Sequence, residues 1–263
     1  MTQKERRLFL IRSLLEEQPQ YQKMEIPGDE EEQKRLLRSL MNLRHPSPVQ
    51  PEFLDVQDAY LKGETLRRGI VDCRELAAAG AEGVKRRLFL WQGDITRLKA
   101  DAIVNAANEA LLGCFIPCHS CIDNIIHTCA GVQLRLACHR LMRVQGRPEP
   151  TGRAKITPAF NLPSRYVLHT VGPVISGPLR EQDCRLLAGC YSSCLELAAK
   201  NGLRSVAFCC ISTGVFRFPQ EKAAEIAVET VKRFLEQDDT VEQVIFNVFT
   251  DRDLELYRRQ LKK

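Results

Sequence analysis

Hydrophobic residues recur at two different spacings along the chain, and the change of spacing divides it into two parts. Before residue 84, leucine and isoleucine return every three or four residues, as in Leu8, Ile11 and Leu15. This spacing predicts amphipathic helices that bury one face. Three prolines between residues 46 and 51 interrupt the pattern. We expect residues 1–83 to form a helical extension that packs on the rest of the chain.

The second part, residues 84–263, alternates short apolar segments with longer amphipathic ones. The segments around Val206 and Ile245 are almost continuously apolar, which is typical of strands buried on both faces. The segment after Pro219 has its apolar residues on one helical face, and proline is favourable at the first helical position. This alternation predicts a mainly parallel sheet covered by helices. Strands are predicted at residues 88–91, 102–104, 166–171, 205–211 and 244–249, and helices at residues 121–142, 184–201 and 219–236.

Composition places the chain among ordinary globular proteins, with 44% hydrophobic and 27% charged residues. No apolar run approaches the roughly 18 residues of a membrane span, so we predict no membrane contact. The polar N-terminus carries no signal peptide, which predicts a cytoplasmic protein whose eleven cysteines form no disulfide framework. The net charge of +5 is spread along the chain without basic–aromatic clusters. We therefore predict no nucleic-acid binding.

Two predicted loops follow strands at the sheet edge where ligands of parallel sheets bind. Residues 212–218 lead into a helix, and Gly214 permits a tight turn whose N–H groups can converge on an anion. In residues 105–114, Asn105 and Asn108 can offer amide donors and acceptors to ribose hydroxyls. The alternative for both loops is a plain connection, since glycine and asparagine often form turns.

A third segment carries three thiols and an imidazole within eight residues, Cys114-Phe115-Ile116-Pro117-Cys118-His119-Ser120-Cys121. We call it the cysteine-rich loop. Thiolate sulfur and imidazole nitrogen are ligands that zinc prefers. A structural zinc site uses four protein ligands, whereas a catalytic site uses three and keeps one position open. No second Cys/His pair follows at zinc-finger distance, so we predict a three-ligand zinc site, although spacing alone excludes none of the four residues.

Five short motifs in the second part occur in the order found in macrodomains of the MacroD type, so the chain resembles that family of ADP-ribose-binding proteins. The resemblance implies a three-layer α/β/α fold with a mixed, mainly parallel central sheet. It covers residues 84–263 and leaves residues 1–83 outside the common core as an N-terminal helical extension. The motifs are Gly93-Asp94-Ile95-Thr96, Asn105-Ala106-Ala107-Asn108, Thr-Gly-Arg-Ala-Lys-Ile-Thr at 151–157, His-Thr-Val-Gly-Pro at 169–173 and Ser-Thr-Gly-Val-Phe at 212–216.

The cysteine-rich loop is the point where the chain departs from the usual MacroD pattern. MacroD-type proteins carry a run of glycines before a Val-Asp-Gly-Ala-Ile-His segment. Here the cysteine-rich loop replaces the glycines, and the segment reads Ile122-Asp123-Asn124-Ile125-Ile126-His127. In this respect the chain is similar to a zinc-dependent, mostly microbial branch that also has an N-terminal helical extension. The resemblance implies that Cys118 is a spectator. It implies three zinc ligands: Cys114, His119 and Cys121.

The resemblance also implies which residues contact ADP-ribose. Asp94 is expected to accept a hydrogen bond from the adenine amino group, although a carboxylate after a strand can also cap a turn. Phe249 is expected either to cover the adenine or to pack in the core. Residues 212–216 are expected to hold the diphosphate, with Asn105 and Asp123 at the distal ribose. The full expected set is Asp94, Ile95, Asn105, Ile122, Asp123, Ser212, Thr213, Gly214, Val215 and Phe216.

The implied activity is zinc-dependent hydrolysis of the bond between the distal ribose and an acidic side chain of a mono-ADP-ribosylated protein. Asp123 and Asn105 are the expected catalytic residues, although an acidic residue such as Asp123 also commonly fills a first helical turn. By resemblance alone, a lipoylated carrier protein is a candidate substrate. Two alternatives stay open: a reader that binds ADP-ribose without cleaving it, and a deacetylase of O-acetyl-ADP-ribose.

Overall fold

The computed structural model of residues 1–263 contains eight α-helices and eight β-strands. The helices are α1 (Gln3–Glu16), α2 (Glu30–Leu43), α3 (Pro51–Arg68), α4 (Ile122–Ala130), α5 (Val132–Gln145), α6 (Glu181–Lys200), α7 (Gln220–Leu235) and α8 (Asp251–Lys262). The strands are β1 (Val71–Asp72), β2 (Leu88–Gln92), β3 (Leu98–Lys99), β4 (Ala102–Ala107), β5 (Ala154–Pro158), β6 (Tyr166–Val171), β7 (Ser205–Phe208) and β8 (Gln243–Val248). None of these helices combines the length and the apolar composition that a membrane crossing requires.

Helices α1, α2 and α3 form the predicted N-terminal extension. Thr2 and Glu5 make a reciprocal capping box at the start of α1, and Pro51 is the first residue of α3, where its missing N–H has no cost. The apolar faces of these helices bury a cluster of eleven residues, in which Val132 of α5 is included. Through Val132 the extension packs on the rest of the chain.

Six strands form the main sheet in the order β2-β8-β7-β4-β6-β5. All neighbouring pairs are parallel except β5–β6, which is antiparallel. Val206 and Ile245 are fully buried in β7 and β8, as their apolar surroundings predict. Helices α4 to α8 pack against this sheet. The predicted three-layer α/β/α fold with a mixed, mainly parallel sheet is therefore confirmed.

Besides the two-residue strands β1 and β3, which were not predicted, three features differ from the prediction. The single helix expected at residues 121–142 is two helices, because Gly131 between them has a φ of 94° that residues with a side chain rarely adopt. Strand β5 was not predicted, because it lies at the edge of the sheet and its partly exposed residues form no apolar run. Helix α8 is the third, since its sequence is mostly charged.

The two parts of the chain have separate apolar clusters, of eleven and of 47 buried residues. Cys73 belongs to the larger cluster, and the short strand β1 pairs with β3. The segment that joins α3 to β2 therefore packs with the larger core. The division between residues 1–83 and 84–263 stays a prediction.

We expect Gly131→Ala to lower the free energy of unfolding by about 1–3 kcal/mol, since its backbone conformation is almost restricted to glycine. An added Cβ would also lie 2.6 Å from Gln133 Oε1 and 2.7 Å from Gln57 Nε2. Urea unfolding followed by circular dichroism measures the change. Gly28→Ala is the control, because no atom lies within 4 Å of a Cβ added there. Equal stability of the two variants would contradict the prediction.

Candidate active site

A cleft of about 630 Å³ opens beyond the carboxyl ends of strands β4, β7 and β8. It is the position that parallel sheets offer to ligands. Nine of the ten predicted ligand-contacting residues line it: Asp94, Ile95, Ile122, Asp123, Ser212, Thr213, Gly214, Val215 and Phe216. The three predicted zinc ligands line it too: Cys114, His119 and Cys121.

Asn105 is the predicted residue that does not line the cleft. It lies in β4, is fully buried, and donates a hydrogen bond from Nδ2 to Asp123 Oδ1 at 2.8 Å. The neighbouring Asn108 donates to the other carboxylate oxygen of Asp123, Oδ2, at 3.3 Å. Asn105 therefore orients Asp123 from behind, and its direct contact with a ribose stays a prediction.

The Asp123 side chain is almost completely buried in the first turn of α4. Burial raises the pKa of its carboxyl group to about 6, and the hydrogen bond from Asn105 opposes that rise. Each carboxylate oxygen keeps a free lone pair beyond the bond from its asparagine. The carboxylate can therefore accept a further hydrogen bond from a hydroxyl group or a water molecule in the cleft.

Two buried histidines lie behind Asp123 and Asn105. His127 Nε2 is 3.5 Å from Asp123 Oδ1, and His169 Nδ1 is 3.2 Å from Asn105 Nδ2. Burial lowers the pKa of both imidazoles, that of His169 to about 3, so both are neutral. The two histidines behind Asp123 are thus polar but uncharged, and the positive charge of the buried Arg135 also opposes the rise in the pKa of Asp123. The sequence alone indicates no role for either histidine, although His169 stands in one of the five motifs.

These two histidines form a second cluster with the thiol of Cys138, with ligand atoms within 4.8 Å of one another. Both nitrogens of His169 already have protein partners, because Nε2 lies 2.9 Å from Thr157 Oγ1. This cluster is enclosed in the core and does not line the cleft. We therefore interpret His169 as a hydrogen-bonded support for the site, whereas neither ring nitrogen of His127 has a hydrogen-bond partner.

The cysteine-rich loop brings the ligand atoms of Cys114, His119 and Cys121 within 4.8 Å of one another. Cys114 Sγ lies 3.6 Å from His119 Nδ1, and sulfur and nitrogen ligands of a tetrahedral zinc are separated by about 3.5 Å. Burial raises the pKa of the Cys121 thiol to about 11, so its thiolate needs a nearby cation. The donor set and its spacing therefore fit zinc.

Cys118, the fourth candidate ligand, points away from this cluster. Its backbone has a φ of 53°, and its thiol lies 3.2 Å from Ser39 Oγ and 3.4 Å from the carbonyl oxygen of Arg35, both in α2. Spacing in the sequence could not reveal this, because the left-handed conformation at Cys118 reverses the direction of its side chain. Cys118 contacts the extension and leaves three residues facing the cleft.

The loop at residues 212–218 presents three successive backbone N–H groups without a hydrogen-bond acceptor in the protein, at residues 214–216. Such a run of free donors is a binding site for an anion. Gly214 lies in the predicted tight turn, since its carbonyl oxygen accepts a hydrogen bond at 3.0 Å from Arg217 N. The positive φ values of the loop occur at Ser212 (65°) and Arg217 (59°). A hydrogen bond of 2.9 Å from Phe218 N to Ser212 O closes the loop.

At the opposite end of the cleft, Asp94 acts as the turn cap that sequence analysis left open. Its Oδ1 accepts hydrogen bonds from the backbone N–H and hydroxyl group of Thr96. Its Oδ2 accepts one at 2.7 Å from Arg68 Nη1, which belongs to α3 of the extension. Phe249 stands at the rim with 76% of its surface exposed, which excludes the core role.

We expect the purified protein to bind one zinc ion per chain and Cys121→Ser to lose it, because a hydroxyl group is a poor zinc ligand. Cys118→Ser is the matched control and should keep its zinc, since its thiol points toward α2. Metal content after gel filtration, determined by plasma mass spectrometry, measures both. Loss of zinc from Cys118→Ser to the same extent would mean that Cys118 is a ligand.

The chain matches the family model described as "Macro domain" over residues 104–227. It is 58% identical over 259 residues to a protein-ADP-ribose hydrolase of Treponema medium, with 98% of this chain and 99% of the relative covered. A protein-ADP-ribose hydrolase of Staphylococcus aureus is 48% identical over 256 residues, with 97% and 94% covered.

Two solved structures show the same fold. The Oceanobacillus iheyensis macrodomain with ADP is 40% identical, covers 66% of this chain and 90% of its own, and has a TM-score of 0.61. The Trypanosoma brucei macrodomain in complex with ADP-ribose is 31% identical, covers 84% and 94%, and has a TM-score of 0.67. With relatives of this identity over almost its whole length, the chain belongs to the macrodomain family.

Proposed function

We propose that this chain is a zinc-dependent hydrolase that removes mono-ADP-ribose from acidic side chains of modified proteins. One observation carries the proposal: the three-ligand cluster and the Asp123 carboxylate line the same cleft. A metal and a carboxylate that face the same reacting atom can catalyse hydrolysis, whereas binding alone does not require this combination. Relatives that match 97–98% of this chain bear the name protein-ADP-ribose hydrolase, which supports removal of ADP-ribose from proteins.

The cleft offers separate positions for the parts of ADP-ribose. The free N–H groups of residues 214–216 suit the diphosphate. Asp94 and the exposed ring of Phe249 lie at the end that suits an adenine, which carries an amino donor and a flat face. Ile122 and Asp123 then lie at the distal ribose, where the cysteine-rich loop also lines the cleft.

The reaction breaks the bond between the anomeric carbon of the distal ribose and an oxygen of the side chain. A water oxygen bonds to that carbon, and the side chain leaves as a carboxylate. A zinc bound by Cys114, His119 and Cys121 would supply Lewis-acid chemistry, which lowers the pKa of a bound water from about 15.7 toward 7 or polarises an oxygen. Asp123 orients the attacking water and accepts its proton, while Asn105 and Asn108 hold the carboxylate in place.

The finer parts of the substrate assignment rest on the resemblance of the motifs. An acidic modified residue, a lipoylated carrier protein as target and a cytoplasmic location all stay predictions. The reader alternative would not need Asp123 beside a metal cluster. The deacetylase alternative uses the same cleft, since O-acetyl-ADP-ribose carries its ester on the same distal ribose. The structure therefore does not separate the deacetylase from the hydrolase, and an assay on both substrates does.

The test of the proposal is release of free ADP-ribose from a mono-ADP-ribosylated acidic side chain, with and without a zinc chelator. We expect release by the untreated protein, loss of release after chelation, and recovery when zinc is added back. Chromatography of the nucleotide products measures it. The Cys121→Ser variant should resemble the chelated protein, whereas Cys118→Ser should resemble the untreated one.

Two results would contradict the proposal. Tight ADP-ribose binding without release under either condition would make the protein a reader. Release that persists after complete removal of zinc would exclude the metal from the reaction. O-acetyl-ADP-ribose is assayed beside the modified protein at equal concentration, and a much faster reaction with it would favour the deacetylase.

Substitution at the two ends of the cleft should separate catalysis from binding. We expect Asp123→Ala to lower kcat by about 10²–10⁴-fold with little change in KM, since a positioned proton acceptor contributes that much. Asp94→Ala should weaken ADP-ribose binding about tenfold, because one hydrogen bond to a charged group is lost. Steady-state kinetics and calorimetric titration with ADP-ribose measure the two effects. If Asp123→Ala lost as much affinity as Asp94→Ala and kept its kcat, Asp123 would serve binding alone.

A further inference from the structure

The cysteine-rich loop lies directly against helix α2 of the extension. Arg38 reaches from α2 across this contact and donates from Nη2 to the carbonyl oxygen of His119 at 2.7 Å. The same nitrogen donates to Asn124 Oδ1 at 2.8 Å, and Arg38 Nε lies 3.3 Å from that oxygen. One guanidinium group thus joins a zinc-ligand residue to the first turn of α4.

Asn124 carries this connection to the other end of the loop. Its side chain is fully buried, and Nδ2 donates to the carbonyl oxygen of Ile116 at 3.0 Å and to that of Cys114 at 3.4 Å. Its backbone N–H donates to Cys121 Sγ at 3.4 Å. Together, Arg38 and Asn124 contact all three predicted ligand residues.

The middle of the loop is held by α2 as well. Asn42, which is buried, accepts a hydrogen bond at 2.9 Å from the backbone N–H of Cys118. It donates to Thr128 Oγ1 in α4 at 3.0 Å. The left-handed backbone of Cys118 turns its thiol to Ser39 Oγ, 3.2 Å away. At Cys118 the loop is therefore hydrogen-bonded to α2, and Asn42 links this contact to α4.

From these contacts we infer that Arg38 is a positioning residue for the zinc site, so that the N-terminal extension is a functional part of the active site. This inference rests on the proposed function. Arg38 orients the backbone of His119 and, through Asn124, that of Cys114, and thereby places their ligand atoms before the metal arrives. Residues that hydrogen-bond to metal ligands without binding the metal themselves fix the direction of those ligands. Loss of one such residue lowers metal affinity by about 10–100-fold.

The geometry requires arginine at this position. Arg38 uses two nitrogens of its planar guanidinium group on two different acceptors. A lysine presents a single ammonium group on a flexible stem and cannot reproduce this arrangement. Arg38 is half-buried at the surface of α2, so its replacement leaves the apolar cluster of the extension intact.

The experiment compares zinc affinity in full-length Arg38→Ala, Arg38→Lys and wild-type protein, by competition with a chromogenic chelator. We expect Arg38→Ala to bind zinc about 10–100-fold more weakly, with Arg38→Lys between it and the wild type. The absorption spectrum of the cobalt(II) protein should change in Arg38→Ala, because its ligand arrangement changes. The metal-free variant should unfold within about 2 °C of wild type, and its affinity for ADP-ribose should stay within twofold.

Arg35→Ala is the matched control, because Arg35 is exposed on the same helix and its side chain makes no hydrogen bond. It should bind zinc like the wild type. Zinc affinity within twofold of wild type for Arg38→Ala, with an unchanged cobalt spectrum, would overturn the inference and leave the proposed function standing. An equal loss of affinity in Arg35→Ala would also overturn it. Wild-type protein that binds no zinc would overturn the proposed function, and this inference with it.

Discussion

The arrangement of the site depends on the hydrogen bond between Asn105 of β4 and Asp123 of α4. A buried carboxylate without partners is costly, so the strand and the helix are held together where this bond forms. Cys121 caps the same helix two residues earlier. The bond that orients the carboxylate therefore also fixes the position of Cys121, a predicted zinc ligand. The predicted ligand cluster and the carboxylate are held by the same helix.

The extension contacts this unit and also the far end of the cleft. Arg38 of α2 bonds to the cysteine-rich loop, and Arg68 of α3 bonds to Asp94. Both are charge-assisted hydrogen bonds, which are stronger and more directional than neutral ones. At a helix break, Gln57 of α3 accepts a hydrogen bond from Val132 N at 2.9 Å. The extension thus holds lining residues at two separate places in the cleft, although none of its own residues lines it.

Much of the fold could be predicted from the sequence, because buried strands produce apolar runs such as those around Val206 and Ile245. The motifs also located the residues of the cleft. Strand β5 and the break at Gly131 escaped prediction, since an edge strand has no apolar run and a single glycine also occurs inside helices. The contacts of Arg38 could not be predicted. Its partners His119 and Asn124 follow it by 81 and 86 positions in the sequence, and the three residues meet only because α2 packs against α4.

The burial of Asn105 shows the same limit at the level of one residue. The sequence predicted it in a loop just after a strand, whereas β4 continues to Ala107 and includes it. The direction of its side chain depends on α4, whose Asp123 accepts its hydrogen bond. The loop at residues 212–218 shows a similar limit, because its positive φ values occur at Ser212 and Arg217, neither of which is a glycine. The local sequence therefore identifies which functional groups are present, whereas the packing between helices and strands determines where those groups point.

The proposed mechanism requires one metal beside the distal ribose of ADP-ribose, held by three ligands of the cysteine-rich loop. A crystal structure of the complex with ADP-ribose, with anomalous diffraction recorded on both sides of the zinc absorption edge, tests it directly. We expect a single anomalous peak bonded to Cys114, His119 and Cys121, with the distal ribose next to Asp123. A peak with four protein ligands, or one remote from the ribose, would contradict it.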